Sequence, residues 1–333
     1  MRIVLKVLKI NLNYASTKPP FYGHRERVVF LLAKDTLEEF KLECELRRLT
    51  PRTIKGYYNS TLLFLTWLER HQDITELEAI HTPHIKMYIQ HLIKKQLSPS
   101  YINAILRCIR AYFRYATEEE YLTSNPAAKV SWQKQGKVII NTFTDDEVRS
   151  LLEAFDFCTF LSARNKLILA IAFDTGARNT EMCDILETDV RDNVILLHGK
   201  GNKERHVPLT PYLKRAILKY RRIKEQYFAD KILPHKHLLL SRTGRPMTKE
   251  AMEHVFKQAA ALSDIRPEIR CSPHTARHYF AQTHLRNGLD VYSVSRLLGH
   301  ENINITKRYL QSMQDSSIVE LAVKTSPLRN LRI

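Results

Sequence analysis

The stretch that decides the reading runs from residue 273 to residue 309: PHTARHYFAQTHLRNGLDVYSVSRLLGHENINITKRY. Its first residues set His274 and Arg277 one helical turn apart, on one face. Further on, Leu297-Leu298-Gly299-His300 ends a helix on a histidine, and Tyr309 follows nine residues later. Upstream, Asp174-Thr175-Gly176-Ala177-Arg178-Asn179-Thr180-Glu181 places an arginine at a turn entering a helix. Between these segments, Gly199-Lys200-Gly201-Asn202-Lys203-Glu204-Arg205 carries Lys200 to the tip of a hairpin with arms Val194–Leu197 and His206–Leu209. Taken singly, each segment has a plain explanation. A helix arginine or lysine is usually a solvated charge, a lone histidine is usually structural, and Tyr309 is one of fifteen tyrosines.

Outward from these segments the chain reads as two domains. Thr50-Pro51, Thr82-Pro83 and Ser98-Pro99 each put a capping hydroxyl before a proline at a first helical position. Helix-period apolar patterns follow, for example Ile102, Ile105, Ile109, Tyr112 and Phe113. With an earlier helix from about Asp35 to Arg48, four helices fill a domain at 34–122, behind an irregular arm at 1–33. Thr123-Ser124-Asn125-Pro126 breaks the pattern, and 123–141 reads as a linker. Thr144-Asp145-Asp146-Glu147 is a capping box that opens a second domain at 142–315. That domain is α-rich with a small antiparallel sheet, to which His237–Leu240 is a candidate third strand; a tail at 316–333 closes the chain. The fold class expected is mainly α (α+β).

Composition limits the function classes. A net charge of +17 over 333 residues attracts polyanions, because each neutralised phosphate releases counterions. The five cysteines, Cys44, Cys108, Cys158, Cys183 and Cys271, form no C-x-x-C pair, which points away from a disulfide framework or zinc module. No apolar run approaches the roughly 18 residues that would span a bilayer, and the expected location is the cytoplasm. No GxxxxGK[ST] loop or carboxylate cluster suited to two magnesium ions is present. The pairs His81/His84 and His235/His237 fall in loop or turn segments, so no metal and no cofactor is expected.

Together, the ordered set TGxR, GKGNKE, HxxRH, LGH and a tyrosine nine residues on resembles the tyrosine recombinases, also called phage integrases, which include the Xer resolvases. The resemblance extends over most of residues 35–315 and is strongest from Thr175 to Tyr309. It implies a C-shaped clamp on DNA, with the four-helix SAM-like domain on one face of the duplex and the catalytic domain on the other. It implies that Arg178 and Arg277 grip the scissile phosphate and that Tyr309 attacks it. His274 would accept or relay the phenol proton, Lys200 would protonate the departing 5′ oxygen, and His300 would hydrogen-bond the phosphate. Glu181 would buttress Arg178. The product would be a 3′-phosphotyrosine, with no ATP or metal required. Ala177 and Ala276 depart from the leucines common in the family and read as packing changes.

Arg52, Lys55, Arg107, Arg110 and Arg114 on the first domain, with Lys203 and Arg205 on the hairpin, are the candidate DNA contacts. Partners implied are duplex DNA with a specific site and further copies of the chain in a tetrameric synapse, with room for a second recombinase or accessory protein. The apolar stripe Ile318, Val319, Leu321 and Ala322 leaves two readings open, docking on a neighbouring protomer or packing in cis. A non-cutting DNA-binding regulator and a type IB topoisomerase-like enzyme are the competing functions. Chromosome-dimer resolution, phage integration, transposition and inversion share one active site. The chain carries no obvious arm-binding domain, so an Xer-like or mobile-element enzyme is the expectation.

Overall fold

The computed structural model describes residues 31–136, 140–199 and 203–310, in two compact units divided between Lys137 and Val138. Most of the arm, the hairpin tip with Lys200, and the tail stripe lie outside the described residues.

The first unit holds α1 (Ala33–Leu46), α2 (Pro51–Gln72), α3 (Thr82–Lys94) and α4 (Pro99–Glu118). Thr50 caps α2 by accepting from the Thr53 amide at 3.3 Å, and Ser98 caps α4 by accepting from the Tyr101 amide at 3.3 Å. Helix α3 departs from this scheme. It starts one residue early, the His81 amide donates to His84 Nδ1 (3.1 Å), and the Thr82 hydroxyl donates to the Pro126 carbonyl (2.7 Å). The apolar stripe of α4 buries Ile102, Ile105, Leu106, Ile109, Tyr112 and Phe113 against Leu37, Phe64 and Leu68. The Tyr112 hydroxyl, deep in this core, donates to the Ala33 carbonyl at 2.7 Å and so ties α4 to the start of α1.

The segment from Thr123 is not a free linker. Ala127 and Val130 are buried in the helical core, and the Asn103 amide group makes two hydrogen bonds to the Gln133 backbone, at 2.9 and 2.8 Å. The turn at Asn125-Pro126 folds the chain back along α4, where its carbonyls need donors. Arg110 supplies them, donating to Ala127 and Ala128 at 3.2 Å each and to Val130, with its guanidinium 4.2 Å over the Trp132 ring.

The second unit is organised by α6 (Phe160–Thr175), which follows α5 (Asp145–Glu153). In α6, residues Leu167 to Ala172 are all buried, the pattern of a helix enclosed on every side. A short helix α7 (Asn179–Asp184) leads to an antiparallel hairpin of β1 (Val194–Gly199) and β2 (Lys203–Pro208), in register Ile195↔Val207 to Gly199↔Lys203. Helices α8 (Pro211–Tyr227), α9 (Lys249–Ala261), α10 (Pro273–Arg286), α11 (Val291–Leu298) and α12 (Ile303–Leu310) complete the described residues. The capping box forms at α5, with Glu147 bonding the Thr144 amide at 2.7 Å and Thr144 the Glu147 amide at 3.2 Å.

Residues His237–Leu240 do not add a third strand; among the described residues the sheet has two. His237 and Leu240 make isolated bridges to Leu186 and Pro246. The Lys224 ammonium takes the carbonyls of His237 and Leu238 at 2.8 and 3.0 Å, acceptors a neighbouring strand would need. A small separate core of Phe280, Leu285, Val294, Leu298 and Tyr309 joins α10, α11 and α12. No described helix is long and apolar enough to cross a membrane.

Candidate active site

Two glycine turns organise the site. Gly176 ends α6 at φ +60°, and a Cβ there would stand 2.6 Å from the Phe280 ring, so only glycine fits. Gly299 ends α11 at φ +64° in a Schellman motif: its amide donates to the Arg296 carbonyl and the His300 amide to the Ser295 carbonyl, each at 3.0 Å. That motif leaves the next three carbonyls without helical donors. Arginines take all three. Arg205 Nε donates to Leu297 at 2.7 Å, Arg277 Nη2 to Leu298 at 2.6 Å, and Arg178 Nη2 to Gly299 at 2.8 Å. Arg277 Nη1 also donates to the Gly176 carbonyl at 2.7 Å, so one guanidinium bridges both glycine turns.

Glu181 is buried among these groups. It accepts four N–H bonds at 2.7 Å, from the Arg178 amide and side chain and from two nitrogens of Arg205. Burial alone would raise its pKa, but the hydrogen bonds and charge of Arg205, then of Arg178, prevail and hold it at about 2. Burial, and then the neighbouring Arg178 and Arg205, push Arg277 down to about 9, still charged at neutral pH. Ala177 and Ala276 are both buried in the main core of the unit.

The Tyr309 ring is 2% exposed, and its hydroxyl lies 2.9 Å from His278 Nδ1. The His278 and His274 rings meet edge to face, with centroids 4.2 Å apart. Burial, with repulsion from His274 and Arg277, lowers His278 to about 4, so the ring is neutral where its Nδ1 faces the phenol. Burial raises the Tyr309 phenol, with Arg277, Arg308 and Arg178 acting the other way. His274 is lowered by burial and by Arg277 and Arg270. His300 is lowered to about 4 by burial, Arg277 and Arg178, and its Nδ1 is 2.7 Å from the Thr306 hydroxyl. An open cleft of about 1240 Å³ is lined by Arg178, Lys203, Arg205, Arg296 and His300, among others.

Arg178, Arg277, His274, His300, Tyr309 and Glu181 are thus brought together. Three expectations change. The phenol is paired with His278 and not with His274. Arg205 is spent on Glu181 and Leu297, with 10% of its side chain exposed, and so is held inside the site. Arg110 holds the 127–130 carbonyls and is likewise committed internally. Arg52 and Lys55 on α2, and Arg107 and Arg114 on α4, remain exposed. Lys203 is exposed and paired with Glu301 at 2.7 Å. Lys200 lies outside the described residues. His278 and Thr306 were not singled out from sequence, although His278 stands next to Arg277, four residues from His274, on the same helix face. Among the described residues, no group of three or more His, Cys, Asp or Glu is placed to hold a metal ion.

Residues 141–316 match the phage integrase family, and residues 36–123 match its N-terminal SAM-like domain. The tyrosine recombinase XerC of Anoxybacillus flavithermus is 30% identical over 269 residues, covering 79% of this chain and 88% of that protein. In fold, the chain is similar to the XerH site-specific recombinase in a post-cleavage complex with palindromic difH substrate, with a TM-score of 0.70 at 19% identity, covering 88% of this chain and 85% of that one. It is also similar to a lambda integrase tetramer bound to a Holliday junction, with a TM-score of 0.66 at 17% identity, covering 92% and 85%. The chain belongs to the phage integrase family and is an Xer-like tyrosine recombinase, an enzyme of site-specific DNA cleavage and rejoining.

Proposed function

We propose that Arg178, Lys200, His274, Arg277, His300 and Tyr309, with His278, carry the chemistry of this recombinase. Arg178 and Arg277 hold the non-bridging oxygens of the scissile phosphate and neutralise the charge that grows in the pentavalent transition state. The Tyr309 oxygen attacks phosphorus. A bond forms between them, the bond to the 5′ oxygen breaks, and a 3′-phosphotyrosine and a free 5′ hydroxyl result. The phenol proton passes to His278 Nδ1, the ring that faces it, with His274 behind. Lys200 protonates the departing oxygen. His300 Nδ1 lies 2.7 Å from the Thr306 hydroxyl; in the tautomer in which Thr306 donates to it, Nε2 carries the proton and hydrogen-bonds the phosphate. Attack by a partner strand's 5′ hydroxyl reverses these steps. One ester replaces another at each stage, so no ATP is consumed.

The observation that supports this reading most is the pairing of Arg178 and Arg277 to the adjacent carbonyls of Gly299 and Leu298, one residue from His300. Two planar guanidiniums fixed side by side form a fork for a tetrahedral anion. Arg52, Lys55, Arg107 and Arg114 would meet backbone phosphates and set register. Lys203 would exchange its exposed Glu301 pair for a phosphate at little cost. The two domains would clamp one duplex, four copies would assemble on two duplexes, and the enzyme would act in the cytoplasm.

The test is covalent trapping on nicked suicide duplexes drawn from the source genome, without metal or ATP. A denaturant-resistant complex that is lost in Tyr309→Phe supports the reading. DNA binding without an adduct points to a regulator. Relaxation of supercoils without exchange between sites points to a topoisomerase-like enzyme.

A further inference from the structure

We infer that Arg205 is a positioning residue that sets both phosphate-gripping arginines without touching DNA, an inference that rests on the roles given above to Arg178 and Arg277. Three of its five N–H groups are held internally. Nη1 and Nη2 bond the two oxygens of Glu181 at 2.7 Å each, and Nε bonds the Leu297 carbonyl at 2.7 Å. Through Glu181 it reaches Arg178, which shares the same carboxylate at 2.7 Å. Through Leu297 it reaches the turn whose next two carbonyls hold Arg277 and Arg178.

The fit is close. A Cβ on Gly299 would lie 3.1 Å from Arg205 Cδ and Nη1, so the arginine packs flat on the glycine of the turn. This gives Gly299 a second reason to be glycine besides its positive φ. A bidentate carboxylate–guanidinium pair fixes an angle as well as a distance. Arg205 therefore sets the Glu181 carboxylate plane, and that plane sets the Arg178 guanidinium. Lysine offers a point charge in place of the fork and cannot hold Glu181 and Leu297 in this geometry. The position lies two residues after Lys203, on β2, so the hairpin that bears Lys200 also braces the arginine pair.

The experiment compares wild type, Arg205→Met, Arg205→Lys, Arg178→Ala and the Arg178→Ala/Arg205→Met double variant in single-turnover cleavage of a suicide duplex. Duplex affinity is measured by mobility shift, and folding by circular dichroism. Arg205→Met should slow cleavage roughly 100-fold, on the scale of losing one transition-state donor, with affinity changed less than twofold. Arg205→Lys should recover part of the rate. The double variant should be slower than Arg178→Ala by much less than the factor that Arg205→Met costs alone, because part of that loss runs through Arg178 and only the part through the Leu297 turn and Arg277 remains. Affinity falling in step with rate would make Arg205 a DNA contact, and losses that multiply would make it independent of Arg178; either overturns the inference. If Arg205→Met does not fold, the Lys variant carries the cycle. Failure of wild type itself to form a Tyr309-dependent adduct would instead sink the functional reading beneath it.

Discussion

Replacing Glu181 by glutamine keeps the side chain's shape and removes one charge. The carboxylate accepts four N–H bonds at 2.7 Å while 3% exposed. Glutamine's single carbonyl oxygen accepts two, and its amide group turns two donors toward two donors. Breaking a buried ion pair from one side costs about 3–5 kcal/mol. The lowered pKa corresponds to a similar figure: about 2 against an ordinary 4.5 is on the order of 3 kcal/mol. Because the folded pKa is depressed, this stability is complete above the unfolded pKa and is lost as pH falls toward about 2. At pH 3.5 the gap between wild type and Glu181→Gln should have narrowed by roughly 1.4 kcal/mol from its value at pH 7. Urea unfolding followed by far-ultraviolet circular dichroism measures it. Trp67 and Trp132, the two tryptophans of the chain, both lie in the first unit, so their fluorescence midpoint should stay put and serve as an internal control. A gap below about 1 kcal/mol at pH 7, or one that does not narrow in acid, would refute the reasoning.

Gly176→Ala forces a Cβ to 2.6 Å from the buried Phe280 ring at a positive φ, and should cost about 2–4 kcal/mol by thermal unfolding while slowing cleavage through the displaced Arg277. Arg110→Ala should destabilise the first unit by about 1–2 kcal/mol, read by tryptophan fluorescence, and weaken DNA binding less than Arg107→Ala or Arg114→Ala does. In the DNA-free protein, NMR titration should find His278 and His300 losing their neutral form only near pH 4, well below an ordinary histidine; titration of either near 6.5 would contradict the burial described.

The helices were legible because their signals are local. Thr50-Pro51, Ser98-Pro99 and Thr144–Glu147 cap where their spacing says they should. The missed details depend on contacts distant in sequence. Thr82 gives its hydroxyl to Pro126, 44 residues on, and leaves His84 to bond the helix start. Arg110 and Arg205 look in sequence like any basic surface residue, and a pattern of charges does not say which guanidinium faces inward. Which residues gather at the site was legible as residue types in order, since Arg178, Arg277, His300 and Tyr309 lie on short motifs. The hydrogen-bond partner of the phenol was not, because His274 and His278 share a face and the packing of α12 decides which ring meets the phenol.

The most direct measurement of the central claim is mass spectrometry of the protease-digested covalent complex. A nucleotide-bearing peptide modified at Tyr309, joined through a 3′ phosphate, is expected from reactions run without ATP or metal. A 5′ linkage, or modification at any other residue, would contradict it.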